Sequence, residues 1–269
     1  MAVSALIPWY GSDRMIVDGV GEQLVDCEWV GIPCAGGMAA AKKLKARTIV
    51  INDVHRHSIN LGRVIQNKEL KDRLLADVSC LPFHPDVLTE AQRKAADFSM
   101  KLGDAPNYEA GLNYFIAVWM GRSATAGTPG ELRGKLALRW NAGGGDSAVR
   151  FRSGIEAIEA FYEVFLTATF STLDIFEFLE MVHDKKRHGL YVDPPWPGPG
   201  DKYRHTFPEA DHVRLSLRLL EFDNVRVVVR YGDHPKIREL YPETRWKRVV
   251  TTGRDQANGD KPEFLLVRN

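Results

Sequence analysis

Short apolar runs suited to buried strands alternate along this chain with stretches of helical period, and that alternation leaves few folds open. Apolar runs lie at 29–32, 48–52, 168–171, 189–192, 224–230, 246–251 and 263–268. Helical patterns lie between them, at 38–45, after Ser58 as an N-cap, and at 154–166, 174–182, 209–220 and 235–240. Strands joined through helices run parallel, with right-handed crossovers. The last two runs are joined by GRDQANGDKP, which has no helical pattern, so they pair as an antiparallel hairpin at the sheet edge. The expectation is an α/β fold, Rossmann-like, with a seven-stranded, mostly parallel sheet.

The rhythm fails between residues 63 and 150. Helical stretches at 89–102 and 108–120 are followed by the Gly-rich segments GRSATAGTPGELRG and RWNAGGGDSAVRFRS. We read residues 1–62 and 151–269 as the sheet domain and 63–150 as an inserted helical and irregular lobe. The composition, 44% hydrophobic and 26% charged in 269 residues, is that of a globular protein and excludes a disordered or collagen-like chain. Cys27, Cys34 and Cys80 are too few and too irregularly spaced for a disulfide framework, and no CxxC pair points to zinc. His183, Asp184 and His188 lack an evident third ligand, so no metal is expected. The opening apolar run is short, interrupted by Pro8 and without a basic lead, unlike a secretory signal. No run of about 20 apolar residues could span a membrane, and a cytoplasmic protein is expected.

In a parallel sheet, ligands bind at the carboxyl ends of the strands, near the point where the strand order reverses. Three segments there carry chemistry. Ile32-Pro33-Cys34-Ala35-Gly36-Gly37-Met38 is a turn of small residues, though no GxGxxG is present. Asp53 ends the next apolar strand, where an acid can accept hydrogen bonds from ribose hydroxyls; an adenosyl-containing ligand fits the pair. Asp193-Pro194-Pro195-Trp196 follows the strand GLYV directly. Two prolines stiffen the backbone, a carboxylate and a nearby carbonyl can take both hydrogens of an exocyclic amine, and the indole can stack on a nucleobase.

DPPW resembles the (D/N/S)PP(Y/F/W) motif of amino methyltransferases that use S-adenosylmethionine. The remainder resembles one branch, the Dam-like adenine-specific DNA methyltransferases. Pro8-Trp9-Tyr10-Gly11-Ser12 looks like their aromatic-and-glycine opening, WVGIPCAGGMAA like their YVEPFAGSGAV segment, and IVINDVHRHSINLGRVI like their IND…D.IN..RVI segment. YVDPPW and VRVVVRYGDHPKIRELY resemble the catalytic segment and the strand and helix after it. Cys34, Met38, Asp13 and Trp196 depart from the usual Phe, small residue, Lys and Tyr, which suggests a divergent, phage-like member, from a restriction-modification or other setting. The resemblance implies a class I methyltransferase domain and transfer of a methyl group to the N6 amine of a flipped adenine in duplex DNA. It implies that Asp193, Pro194, Pro195 and Trp196 are catalytic. Trp9, Tyr10, Gly11, Pro33, Cys34, Ala35, Gly36, Gly37 and Asp53 would line the cofactor site. Asp174 and Ile175 would lie near the cofactor adenine, although Asp174 also suits a helix cap. The same motif serves cytosine-N4 and RNA adenine methylation, and a catalytically silent nucleic-acid-binding protein could keep the fold. A monomer is the default for this family.

Net charge is only +1, yet residues 181–254 hold 15 Lys and Arg against 10 Asp and Glu. Lys202, Arg204 and His205 follow DPPW and could touch phosphates. Arg122, Arg133, Arg139, Arg150 and Arg152 in or beside the insert could reach bases or phosphates.

Overall fold

The computed structural model describes residues 5–101, 103–121, 125–136, 146–255 and 259–268. Its strands are β1 (Trp29–Ile32), β2 (Thr48–Asn52), β3 (Ala168–Ser171), β4 (His188–Val192), β5 (Arg226–Gly232), β6 (Lys247–Asp255) and β7 (Gly259–Arg268). They form one seven-stranded sheet in the order β3-β2-β1-β4-β5-β7-β6. β1 pairs in parallel with β2 and β4, and β4 with β5. β7 is antiparallel to both β5 and β6, so the expected hairpin is present, with its second strand on the inside. The expected α/β class and Rossmann-like fold are thus what the chain adopts. The order reverses between β1 and β4, so the carboxyl ends of these two strands mark the crevice where a ligand is expected.

The chain divides into two compact units. One comprises residues 13–35, 39–54 and 173–269, the other 1–12, 36–38 and 55–172. The insert expected at 63–150 lies inside the second.

The first unit carries six of the strands with helices α1 (Val17–Gln23), α7 (Ile175–Glu180), α8 (Glu209–Leu220) and α9 (Pro235–Leu240). Alternation along the strands assigns its two faces. Leu190 and Val192 of β4, Val227, Val229 and Tyr231 of β5, and Leu266 of β7 share a core cluster with residues of α7, α8 and α9. The alternate residues, Tyr191, Val228, Arg230, Glu263 and Leu265, therefore belong to the opposite face. Leu24 and Cys27, at the end of α1, pack on Gly189 of that face. The layers follow from pattern: near-continuous apolar strands such as β4 and β5 bury both sheet faces, and helices supply the cover.

Asn52, wholly buried at the end of β2, ties three segments together. Its amide nitrogen donates to the carbonyls of Pro33 and Leu173, each at 2.9 Å, and its oxygen accepts from the Leu173 backbone N–H at 2.8 Å. The Ala35 N–H donates to the Asn52 carbonyl at 3.0 Å. One side chain thus fixes the turn after β1 and the residue before Asp174.

The second unit is mostly helical: α2 (Arg56–Gln66), α3 (Lys68–Ser79), α4 (Pro85–Ala96), α5 (Tyr108–Met120) and α6 (Ser147–Phe165), with β3. α5 is buried on nearly every side, with only Glu109 and Leu112 not buried, as expected for a central helix. α2 starts before Ser58, because the His55 ring accepts from the Ser58 N–H at 3.3 Å and caps the helix itself. Ser58 instead donates from its hydroxyl to the Gly36 carbonyl at 2.8 Å. α4 starts four residues before the expected Thr89, where Pro85 takes the first turn and His84 caps it.

Replacing Asn52 by Ala removes three side-chain hydrogen bonds and orphans buried backbone groups. The expected loss is about 2–4 kcal/mol, read as a lower denaturation midpoint with an unchanged slope.

Candidate functional site

The site in the sheet unit is built at the carboxyl end of β4. Asp193 follows the strand directly, and its neighbour across the sheet is the stretch of β5 that carries Arg230. The Arg230 Nη1 donates to Asp193 Oδ2 at 2.8 Å. Its Nε and Nη2 both donate to Glu263 Oε2, at 3.0 and 2.9 Å. The Trp196 Nε1 donates to Asp193 Oδ1 at 3.2 Å, and the Arg230 guanidinium lies 4.8 Å from the Trp196 ring centroid. The indole also covers Gly232: a Cβ there would fall 2.8 Å from a ring carbon. The loop after DPPW folds back on itself, the Gly200 N–H donating to the Trp196 carbonyl at 2.7 Å. Asp193, Pro194, Pro195 and Trp196 thus occupy one short, tightly closed segment.

A second acid belongs to this cluster. Asp13, in the segment before α1, is raised from 3.8 to about 6 by burial and by the charge of Asp193, against the lowering effect of Arg230. Burial also raises Asp193, opposed by Arg230 and by the Trp196 N–H. Glu263 is raised by burial too, again opposed by Arg230. Burial alone would lower Arg230; the charges of Asp193, Tyr191, Glu263 and Asp13 outweigh it and hold the guanidinium ionised. The Tyr191 hydroxyl is fully buried beside Asp13 and Asp193. Burial and the charges of Asp193 and Asp13 push it well above the ordinary phenol range.

The turn after β1 completes the site within this unit. Burial pushes the Cys34 thiol far up, and the carboxylates of Asp53, Asp193 and Asp174 push it further, so it stays protonated and is a poor nucleophile. The pairing of β1 with β2 and β4, and the bonds of Asn52 to Pro33 and Leu173, bring the ends of these strands and the start of α7 together around the thiol. Asp53 is buried and Asp174 exposed. Asp174 caps α7: its Oδ1 accepts from the Phe176 N–H at 2.8 Å, and its own N–H donates to the Glu177 carboxylate at 3.1 Å. The helix-cap reading of Asp174 is thus what the structure shows. Ile175 is buried in the core beneath it.

Trp9, Tyr10, Gly11, Gly36 and Gly37 belong to the other unit. There the Trp9 ring packs edge-on to His55, with centroids 5.0 Å apart. Gly36 has φ of +48°, and a Cβ on it would lie 2.9 Å from the indole nitrogen. On Gly37 a Cβ would lie 2.7 Å from the Ile7 carbonyl. The small residues of this turn are therefore required by the chain's own packing. Beneath Trp9, His55 and Glu131 are buried and paired at 2.9 Å, and Glu131 also accepts from Tyr114 and from the Gly127 N–H.

Lys202, Arg204 and His205 are exposed, in and just after the 3-10 turn Pro199–Lys202. Arg133 and Arg152 are also exposed, whereas Arg150 is half-buried and donates to the Gly121 carbonyl at 3.1 Å. Arg122 and Arg139 lie outside the described residues. Asp184 accepts from the backbone N–H groups of Asp223, Asn224 and Val225, which makes it a loop clamp. Asn52, Arg230 and Glu263 do not stand out in sequence, and Asp13 stands out only as a departure from the usual Lys. Strand alternation could have found two of them, because it sets Arg230 and Glu263 on the face that Asp193 shares.

No helix among the described residues is long and apolar enough to cross a membrane. The chain matches no family model, and no curated protein sequence is similar to it.

Asp13 is raised in the folded state, so the stability it contributes is complete below about pH 3.8 and is lost as pH rises through about 6. Asp13→Asn should therefore raise the Tm relative to the parent at pH 8, with the gain absent at pH 4; thermal melts across that range check it.

Proposed function

We propose that this protein transfers a methyl group from S-adenosylmethionine to the exocyclic N6 amine of adenine in DNA. The observation that carries this reading is the meeting of Asp193-Pro194-Pro195-Trp196 with Asp53, Asp174 and Asp13 at the strand-order reversal. An acidic, partly buried site at that position suits a cationic ligand and an amine on which positive charge develops.

The donor set fits the cofactor. Asp53 would accept from the ribose hydroxyls, Asp174 and Ile175 would border the adenine, and Pro33, Cys34 and Ala35 would line the approach from β1. Bound there, S-adenosylmethionine supplies an electrophilic methyl group on a sulfonium. The surrounding carboxylates favour that positive charge over the neutral thioether left after transfer.

The amine of adenine is a weak nucleophile because its lone pair is delocalised into the ring. A carboxylate has about four acceptor positions, and Arg230 and Trp196 occupy two of those on Asp193. One of the remaining positions would take an amine hydrogen, and the Pro194 carbonyl would take the other. Held so, the nitrogen becomes tetrahedral and its lone pair points at the methyl carbon. The charge that builds on nitrogen is met by Asp193, and the rest is proximity and orientation. The Trp196 indole, its edge engaged with Asp193, would stack on the base. A base paired in a duplex is out of reach, so the adenine must be flipped, and the basic residues Lys202, Arg204 and His205 beside the loop are suited to the flanking phosphates. A protein with this chemistry works on intracellular DNA, of a host or of a phage.

Asp193→Ala should lower the methylation rate at least about 100-fold, the scale of losing one charge-stabilising group. Cofactor affinity should change less than about 3-fold, measured by calorimetry without DNA. A variant that methylates at the parent rate would remove Asp193 from the reaction.

A further inference from the structure

We infer that Arg230 is the positioning residue of this site: its guanidinium, braced on Glu263, aims the Asp193 carboxylate and the Trp196 ring together. The inference rests on the methyl-transfer reading for its consequence in rate, but not for its geometry.

The register of the strands makes the arrangement. β4 and β5 run parallel with Val192 opposite Val229, so the next residues, Asp193 and Arg230, meet on the sheet face away from the main core. β7 runs antiparallel on the other side of β5, with Glu263 opposite Gly232. Arg230 is only 4% exposed, between an acid on each side. Its planar fork has donors along two edges. One edge, Nε and Nη2, closes on a single oxygen of Glu263, which fixes the plane. The remaining Nη1 then points at Asp193 Oδ2. With Oδ2 held by Arg230 and Oδ1 by the Trp196 N–H, the carboxylate cannot turn about its own axis. The guanidinium near the indole further restrains the ring. Arg230 would touch neither base nor cofactor; it acts through Asp193 and Trp196.

The charge balance suits the same role. Asp13, Asp193, Glu263 and the Tyr191 hydroxyl all act on Arg230, and Cys34 lies within the field of Asp193. Arg230 opposes the rise that burial imposes on Asp193, while the cluster as a whole carries more acids than cations. A lysine would keep the charge but has no plane to brace.

The test uses the full chain with Arg230→Lys, and has two readouts. In methyl transfer to DNA, kcat should fall about 30-fold or more, with KM for DNA and for S-adenosylmethionine within about 3-fold of the parent, the signature of a lost orientation. In ligand-free protein, the Trp196 indole N–H resonance, assigned by its loss in Trp196→Phe, should move in the NMR spectrum and exchange faster with solvent. Glu263→Ala removes the brace, leaves Asp193 and Arg230 in place, and covers the case in which Arg230→Lys does not fold. It should move the same resonance and lower kcat by a smaller factor. An indole resonance unchanged in the variants that fold overturns the inference, as does a parent-like kcat. A parent protein that transfers no methyl group removes the functional reading instead, and the indole resonance still decides whether Arg230 holds the pair.

Discussion

A single buried guanidinium sets what this end of the sheet can be. Arg230 joins β5 to the loop after β4 through Asp193 and to β7 through Glu263. Burying a lone carboxylate is costly, and leaving one of a buried pair without its partner typically costs about 3–5 kcal/mol. The three strands that carry these groups must therefore keep their register, since a slip by one residue would send Arg230 into the apolar cluster of Val227, Val229 and Tyr231. The same constraint delivers Asp193 to the crevice with a fixed orientation. Two demands, sheet register and site geometry, are met by one side chain.

Around that point the sheet brings together acids that are far apart in sequence. Asn52 ties the turn after β1 to the segment leading into α7, and so sets Cys34 and Asp174 within one neighbourhood. Asp53 follows directly on β2, and Asp13 comes from the segment before α1. Burial raises Asp13 and Asp193 and makes their ionised forms dependent on a cation. Arg230 supplies part of that positive charge, and a sulfonium or a developing ammonium would supply more. The acidity of the site and the chemistry proposed for it rest on the same electrostatic imbalance.

Much of this was legible along the chain, for identifiable reasons. The bounds of β1, β2 and β3 fall where the apolar runs do, because short runs flanked by polar or small residues have little freedom in where to begin. The motif DPPW is local, so its place at a strand end could be read without the fold. Arg230 could not be recognised alone, since a charged residue near the end of NVRVVVR resembles an ordinary solvated terminus; only its partners in β4 and β7 reveal its use. Asn52 was hidden beside Asp53, the more conspicuous acid. Gly36 and Gly37 suggested clearance for a ligand, whereas Trp9 and the Ile7 carbonyl take up that clearance. The helix starts at Arg56 and Pro85 lie ahead of the expected ones because histidine caps, His55 and His84, carry a weaker sequence signal than serine or threonine.

The central claim is that this acidic crevice moves a methyl group onto an amine of a DNA base. The most direct measurement is to incubate the purified protein with duplex DNA and methyl-labelled S-adenosylmethionine, digest the DNA, and identify the labelled nucleoside by mass spectrometry. The account predicts label in N6-methyldeoxyadenosine, and none when the cofactor is omitted. Label in N4-methyldeoxycytidine would contradict the choice of base, and DNA that is bound but carries no label would contradict methyl transfer to DNA.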